Sequence, residues 1–304
     1  MKTTNSSLAG VCALVAGVLF AGPALAQASW SSDLSTCSAS TGNCTSTGAA
    51  NLGTVNTTAW AAQTSTTTAT INNFNNSASG SAFATATLGQ YGAGSGIGVY
   101  SGTDSALGSP YHALDNNNYT ELVLLKFSAN VTLEQITVGW AGGTPVDSDV
   151  SLFAYTDTSA AALGKTAAEV MTGTKVMNGT QTTTVTGIGS GWSLVGNYSD
   201  ADNPNGSSGT DTAINVNVNA PKVSSSWWLI SAYNSRYGGL CKDQSNATIS
   251  CTDGDDYVKV LAIAGSTPAA GGSAPEPSSL ALVGLALVGL AGGRFRRSAA
   301  PAVA

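Results

Sequence analysis

The chain has 304 residues, 11 of them Lys or Arg and 17 Asp or Glu, so 9% of its side chains are charged where a soluble domain averages about 25%. Its 36 glycines, with Ser, Thr and Asn filling surface-type positions, disfavour a helical protein, while six Trp, nine Tyr and six Phe supply enough apolar surface for a core and argue against disorder throughout. A formal net charge of −6 without a basic cluster in the body excludes a nucleic-acid partner, whose phosphates demand a Lys/Arg stripe.

At the N-terminus, Lys2, the apolar run Leu8 to Phe20 and the small-x-small triplet Ala24-Leu25-Ala26 have the order of a secretory signal peptide. Cleavage is expected after Ala26, removing residues 1–26 and taking the protein out of the cytoplasm. A buried N-terminal helix is the alternative, weakened by Gly10, Gly17 and Gly22.

Residues 27–265 read as one all-β domain. Ser29 to Gly98 is rich in Thr, Ser, Asn and Gly around Trp60, Ile71, Phe74 and Phe83, which predicts the first strands and long loops. Further strands are predicted at Glu121–Ser128, Leu133–Trp140, Asp149–Tyr155, Thr182–Ile188, Gly191–Tyr198, Trp227–Tyr233 and Tyr257–Ala264. Ile214, Val216 and Val218 alternate with Asn215, Asn217 and Asn219, as in a half-buried strand. Only Ala160–Met171 reads as a helix. Many short strands between turn residues predict a β-sandwich, with a jelly roll favoured at this length. Residues 266–274, rich in Gly, Ala, Pro and Ser, are expected to be a flexible linker.

Cys12 leaves with the signal peptide, so the body retains Cys37, Cys44, Cys241 and Cys251. An even number in an exported chain predicts disulfides. The local connectivity, Cys37 with Cys44 and Cys241 with Cys251, is favoured because each pair brackets a short polar loop. A competing zinc site finds no CxxC spacing and no nearby His.

The body from Gln27 to Ala274 holds seven basic and sixteen acidic residues, a net charge of −9. Its acids gather in turns: Asp115-Asn116-Asn117-Asn118 with Glu121, then Asp147 and Asp149, then Asp253, Asp255 and Asp256. These hard oxygen donors suit a structural Ca²⁺, and Asp115 with Asp147 or Asp149 is the favoured location because these residues flank successive strands. The alternative is turn chemistry, which Asp and Asn serve through local hydrogen bonds. Glu121 and Glu134 fall where strand residues alternate outward.

Enzyme templates find no positive support. His112 is the sole histidine, so neither HExxH nor a multi-His metal site exists, and GxSxG, P-loop and GxGxxG motifs are absent. A Ser/His/Asp triad stays open by counting, since Asp115 is close to His112, but a lone His before a turn more often caps or packs. Glycoside hydrolysis needs two acids about 5–9.5 Å apart, and the glutamates of the body are Glu121, Glu134 and Glu169. Trp227 and Trp228, adjacent in a strand, must face opposite sides. One of them is expected outside the main core or under a loop, where it could stack on a sugar beside Tyr233 or Tyr237; core packing is the alternative.

Beyond the linker, Pro275-Glu276-Pro277 precedes Ser278 to Gly293, sixteen residues without a charge, and then Arg294-Phe295-Arg296-Arg297. The apolar run is short for a membrane span, which takes about 20 residues. The arginines would stay cytoplasmic and hold the body transiently outside the inner membrane. This order of parts in residues 275–304 resembles the sorting signal of PEP-CTERM proteins, the substrates of exosortase. The resemblance implies a sorting motif made of Pro275, Glu276, Pro277, Arg294, Arg296 and Arg297, cut near Pro-Glu-Pro by a membrane protease that releases the body. The tail departs from the pattern by continuing from Ser298 to Ala304 after the arginines.

In the body, Ser109-Pro110-Tyr111-His112-Ala113-Leu114-Asp115-Asn116, followed by Leu122–Phe127, Ile136–Trp140, Asp147-Ser148-Asp149-Val150 and Gly191 to Tyr198, resembles a family of exosortase-dependent surface proteins. That resemblance implies location and fold rather than chemistry. A looser similarity to discoidin-like or galactose-binding-like jelly rolls concerns fold alone. The expected role is that of a non-enzymatic surface or matrix protein of a Gram-negative bacterium, with exosortase and exopolysaccharide as partners. A carbohydrate-binding module is the alternative, and a polysaccharide hydrolase the third reading.

Overall fold

Runs of β-branched and aromatic residues bounded by Gly, Asn and Asp fold as sixteen strands and one short α-helix among the residues that the computed structural model describes. Those residues are 27–267, apart from 39, 49–51, 64–81, 92–93, 102–111, 117–118, 144–145, 158–163, 175–187, 190, 200–211, 219–220, 235–236, 238–239, 244 and 252–255. The first strands are β1 (Ser29–Asp33), β2 (Asn43–Gly48), β3 (Thr54–Gln63), β4 (Phe83–Thr85), β5 (Thr87–Gln90) and β6 (Ile97–Tyr100). The middle holds β7 (Leu114–Asp115), β8 (Tyr119–Gly143), β9 (Val146–Asp147), β10 (Val150–Tyr155), helix α1 (Ala167–Met171) and β11 (Trp192–Tyr198). Then follow β12 (Thr212–Asn215), β13 (Ser225–Ala232), β14 (Cys241–Lys242), β15 (Thr248–Ile249) and β16 (Tyr257–Ser266).

The all-β expectation holds. Two predicted strands, Glu121–Ser128 and Leu133–Trp140, are halves of the single 25-residue β8. Ala129 and Asn130 carry no glycine or proline that would turn the chain, and the strand continues through them. The first half of β8 pairs with β3 and β13, the second with β16 and β12. Along the sheet the order is β15-β14-β11-β10-β13-β8-β3-β2-β1-β16-β6-β5, antiparallel except between β11 and β14.

Because β8 also pairs with β16, the strands β8, β3, β2, β1 and β16 close a hydrogen-bonded circuit. Like β8, β2 changes partner along its length: Asn43–Thr45 faces β3, and Ser46–Gly48 faces β1. The result is one large mixed sheet, whose order does not establish the jelly roll predicted from the strand count. The first and last strands lie side by side, Ser29 opposite Ser266 through Asp33 opposite Ala262, and Thr267 N–H donates to Ala28 O at 2.9 Å.

Alternation sends neighbouring side chains into two cores. Val123, Leu125 and Phe127 of β8 join Trp228, Ile230, Leu152, Ile136, Val260 and Ile263 in the larger one. Leu122 and Leu124 join Trp227, Leu229, Phe153 and Tyr237 in the smaller, which Val170 and Met171 of α1 help to close. Strands covered on both faces lose their polar alternation, and every residue of β13 is buried. Residues Gln27–Ala270 make one compact unit.

The helix occupies only the end of its predicted span: Lys165 and Thr166 precede it in non-helical backbone, and residues 160–163 lie outside the described ones. Thr166 caps it reciprocally with Glu169. Backbone and side-chain hydrogen bonds from Thr166 hold the Glu169 carboxyl below its ordinary range. This cap contributes above the ordinary glutamate range and is lost as pH falls through the lowered folded value. Of the predicted strand Thr182–Ile188, only Ile188 is described, and it is buried.

Candidate functional site

Four carboxyl side chains from separated elements are buried in the interior. Asp115 ends β7, Glu121 lies near the start of β8, Asp149 precedes β10 and Asp256 precedes β16, and none is more than 1% exposed. Asp115 N–H donates to Glu121 Oε2 at 3.2 Å. Asp149 N–H donates to Asp256 Oδ1 at 2.7 Å, and Asn116 Nδ2 donates to Asp256 Oδ2 at 2.8 Å. Asp256 N–H returns a bond to Asn116 Oδ1 at 3.0 Å. The same Asn116 amide reaches Tyr233 O at 2.8 Å, while Tyr233 N–H donates to Asp149 O at 2.9 Å. Asn116 and Asp256 thus tie the ends of β7, β10, β13 and β16 together. Charges buried in this way are stabilised by hydrogen bonds, protons or a cation.

Of the expected pair, Asp115 is the chain neighbour of Asn116, and Asn116 and Asp149 both bond to the Asp256 carboxyl. The side chain of Asp147 lies outside the described residues, as do Asp253 and Asp255. Asp256, read from sequence as part of that third cluster, belongs to the first. Glu121 does not alternate outward: it is fully buried because β3 and β13 flank β8. Glu134, further along β8, does reach the surface and pairs with Lys222 at 2.5 Å.

Both predicted disulfides are present, Cys37–Cys44 and Cys241–Cys251. The second adjoins the acidic network, with Cys241 Sγ 3.9 Å from Asp149 Oδ2. Asp149, Cys241 and Cys251 offer ligand atoms within 4.8 Å of one another. Sulfurs joined to each other are not thiolates, so this grouping is no zinc centre.

Neither Trp227 nor Trp228 offers a sugar platform. They face opposite sides as expected, but each side is a core, and they are 1% and 0% exposed. Trp228 Nε1 donates to Ser225 O at 2.9 Å, and Lys126 Nζ lies 4.8 Å from the Trp227 ring centroid. Tyr233 and Tyr237 are buried too. The warning in the sequence is the chargeless run Ser225–Ala232, which marks a strand covered on both faces. His112 packs against Tyr91 and Tyr100, and Asp115 N–H is bonded to Glu121.

Comparison with known families finds the PEP-CTERM protein-sorting motif at residues 273–297. The chain carries a PEP-CTERM sorting signal. The match includes Pro275, Glu276, Pro277, Arg294, Arg296 and Arg297, all beyond the described residues. A PEP-CTERM signal marks an exported protein that exosortase processes for the cell surface. No curated protein and no solved structure matches the chain. No helix among the described residues is long and apolar enough to cross a membrane, and the apolar run of the PEP-CTERM signal lies outside them.

Proposed function

We propose that this is a non-enzymatic surface or extracellular-matrix protein of a Gram-negative bacterium, retained in the exopolysaccharide or biofilm layer. The observation that carries this reading is the PEP-CTERM signal at 273–297 behind a disulfide-bonded, all-β body. The scarcity of charge, 9% of residues, supports it, since Ser, Thr, Asn and Gly hydrogen-bond readily to a hydroxyl-rich polymer. Before release, the N-terminal signal peptide directs export and the segment Ser278 to Gly293 holds the body at the inner membrane. Binding of the polysaccharide through a specific site, the carbohydrate-module reading, is the second reading.

Mass spectrometry of secreted material should find a start near Gln27 and nothing beyond about Pro277. Intact Arg296 and Arg297 outside the cell would refute the processing step. The processed protein should co-fractionate with the exopolysaccharide of its own cells, and free protein in the polymer-depleted fraction would overturn the matrix role.

A structural Ca²⁺ at Asp115 and Asp149, with Glu121 and Asp256, belongs to the same proposal. Ca²⁺ takes six to eight hard oxygen donors, the type these buried carboxyls and the Asn116 amide supply, and the ion would brace the ends of β7, β8, β10 and β16. Addition of EDTA should then lower the melting midpoint, with recovery on adding Ca²⁺. An unchanged melting curve at neutral pH would remove the ion and leave protons as the neutralising agent.

A further inference from the structure

A cleft of about 990 Å³ opens beside β4, β5 and β6, lined by Thr85, Thr87, Tyr100, Ser101, His112 and Tyr119 with alanines between them. Small-molecule sites occupy about 300–1,000 Å³, so the volume accommodates an extended ligand. Among the described residues, none that line it is Asp, Glu, Lys or Arg. The lining offers ring faces and hydroxyl groups instead.

The rings are held from behind. His112 and Tyr100 have centroids 4.7 Å apart, and Tyr91 stacks on the imidazole at 5.8 Å with an interplanar angle of 12°. Two glycines make room for them. A Cβ at Gly89 would fall 2.5 Å from the Tyr91 hydroxyl and 2.7 Å from the Tyr100 ring, and one at Gly98 would fall 2.1 Å from His112 O. Lys259 adds its ammonium 3.9 Å from the Tyr91 centroid and 4.4 Å from that of Trp140. Burial, followed by the neighbouring Tyr100 hydroxyl, holds the Tyr91 phenol far above its usual range, so this support is neutral at physiological pH. Such bracing orders the rings before any ligand arrives, which lowers the entropic cost of binding.

The hydroxyls of the lining decide what kind of ligand fits. An apolar ligand would cover those of Thr85 and Thr87 without pairing them, and an anionic one would meet no cation among the described lining residues, on a body of net charge −9. A pyranose meets both demands, laying its C–H face on an aromatic ring and turning its hydroxyls to Thr and Ser.

We propose that the cleft around Tyr100, His112 and Thr87 binds a neutral hexose segment of a polysaccharide. This rests on the matrix role proposed above and assigns it a site. The test is affinity electrophoresis and calorimetry of the processed, secreted protein with dextran and galactomannan as neutral probes and alginate as an anionic one. A neutral polymer should bind and alginate should not. His112→Ala and the near-isosteric Thr87→Val should each weaken binding about tenfold, with the melting curve of Thr87→Val unchanged. Failure of both neutral polymers to bind, equal binding of alginate, or unaltered affinity in folded Thr87→Val and His112→Ala protein would overturn the site. Co-fractionation of the wild type with its own exopolysaccharide decides the matrix role separately. If it persists undiminished in His112→Ala, the cleft assignment falls and the matrix role stands.

Discussion

Replacing Asp256 with alanine is expected to lower the thermal midpoint by about 10 °C, measured by calorimetry at neutral pH. The carboxylate accepts from Asp149 N–H and from Asn116 Nδ2, both in a fully buried setting. Hydrogen bonds to charged groups contribute about 1.5–3 kcal/mol each, and the stranded donors keep their desolvation cost, so a loss of about 3–5 kcal/mol follows. At roughly 2–4 °C per kcal/mol for a domain of this size, the shift is easily resolved. Asp256→Asn keeps one acceptor oxygen and should lose about half as much. Removing one of several buried carboxyls also relieves repulsion, which opposes the loss. A midpoint that rises in Asp256→Ala would show that repulsion wins and that Asn116 and Asp256 are not the tie between the strand ends.

The second large effect is expected at Trp228. Its side chain is fully buried in the larger core, and its indole N–H satisfies Ser225 O. Tryptophan-to-alanine changes in cores cost about 3–5 kcal/mol through lost transfer energy and the remaining cavity, which here lowers the midpoint by about 12 °C. Trp227→Ala should also destabilise, since its ring fills the smaller core beneath Lys126 Nζ. A sugar-stacking tryptophan would behave differently, losing affinity with little change in stability. Melting curves of the two variants close to wild type would reinstate the exposed platform.

Much of the strand content was legible because it rests on local rules. β10, β11, β13 and β16 each fall within about a residue or two of runs bounded by Gly, Asn or Asp, and the two disulfides follow from short polar loops between cysteines. The errors arise where long-range packing decides. β8 reads as two strands from sequence, yet it is continuous, and its halves exchange β13 for β16 between Val131 and Thr132. Trp227 and Trp228 were correctly assigned to opposite faces, but which faces are covered depends on strands a hundred residues away. Asp115 and Asp149 were paired from sequence, whereas the bridge between Asn116 and Asp256 spans 140 positions and has no local signature. His112 was read as a packing residue, and its ring does pack; the cleft it lines is formed by β4, β5 and β6 and leaves no motif.

The side-by-side placement of β1 and β16 governs how the body would carry mechanical load. A pull on the chain beyond Thr267 acts lengthwise on β16, whose last five residues, Ala262 to Ser266, lie antiparallel between β1 on one side and β8 on the other. Force along a strand loads such ladders in shear, so many bonds must fail together instead of opening one at a time. A drag applied at the C-terminal end thus meets a strand that is paired on both sides where the pull arrives.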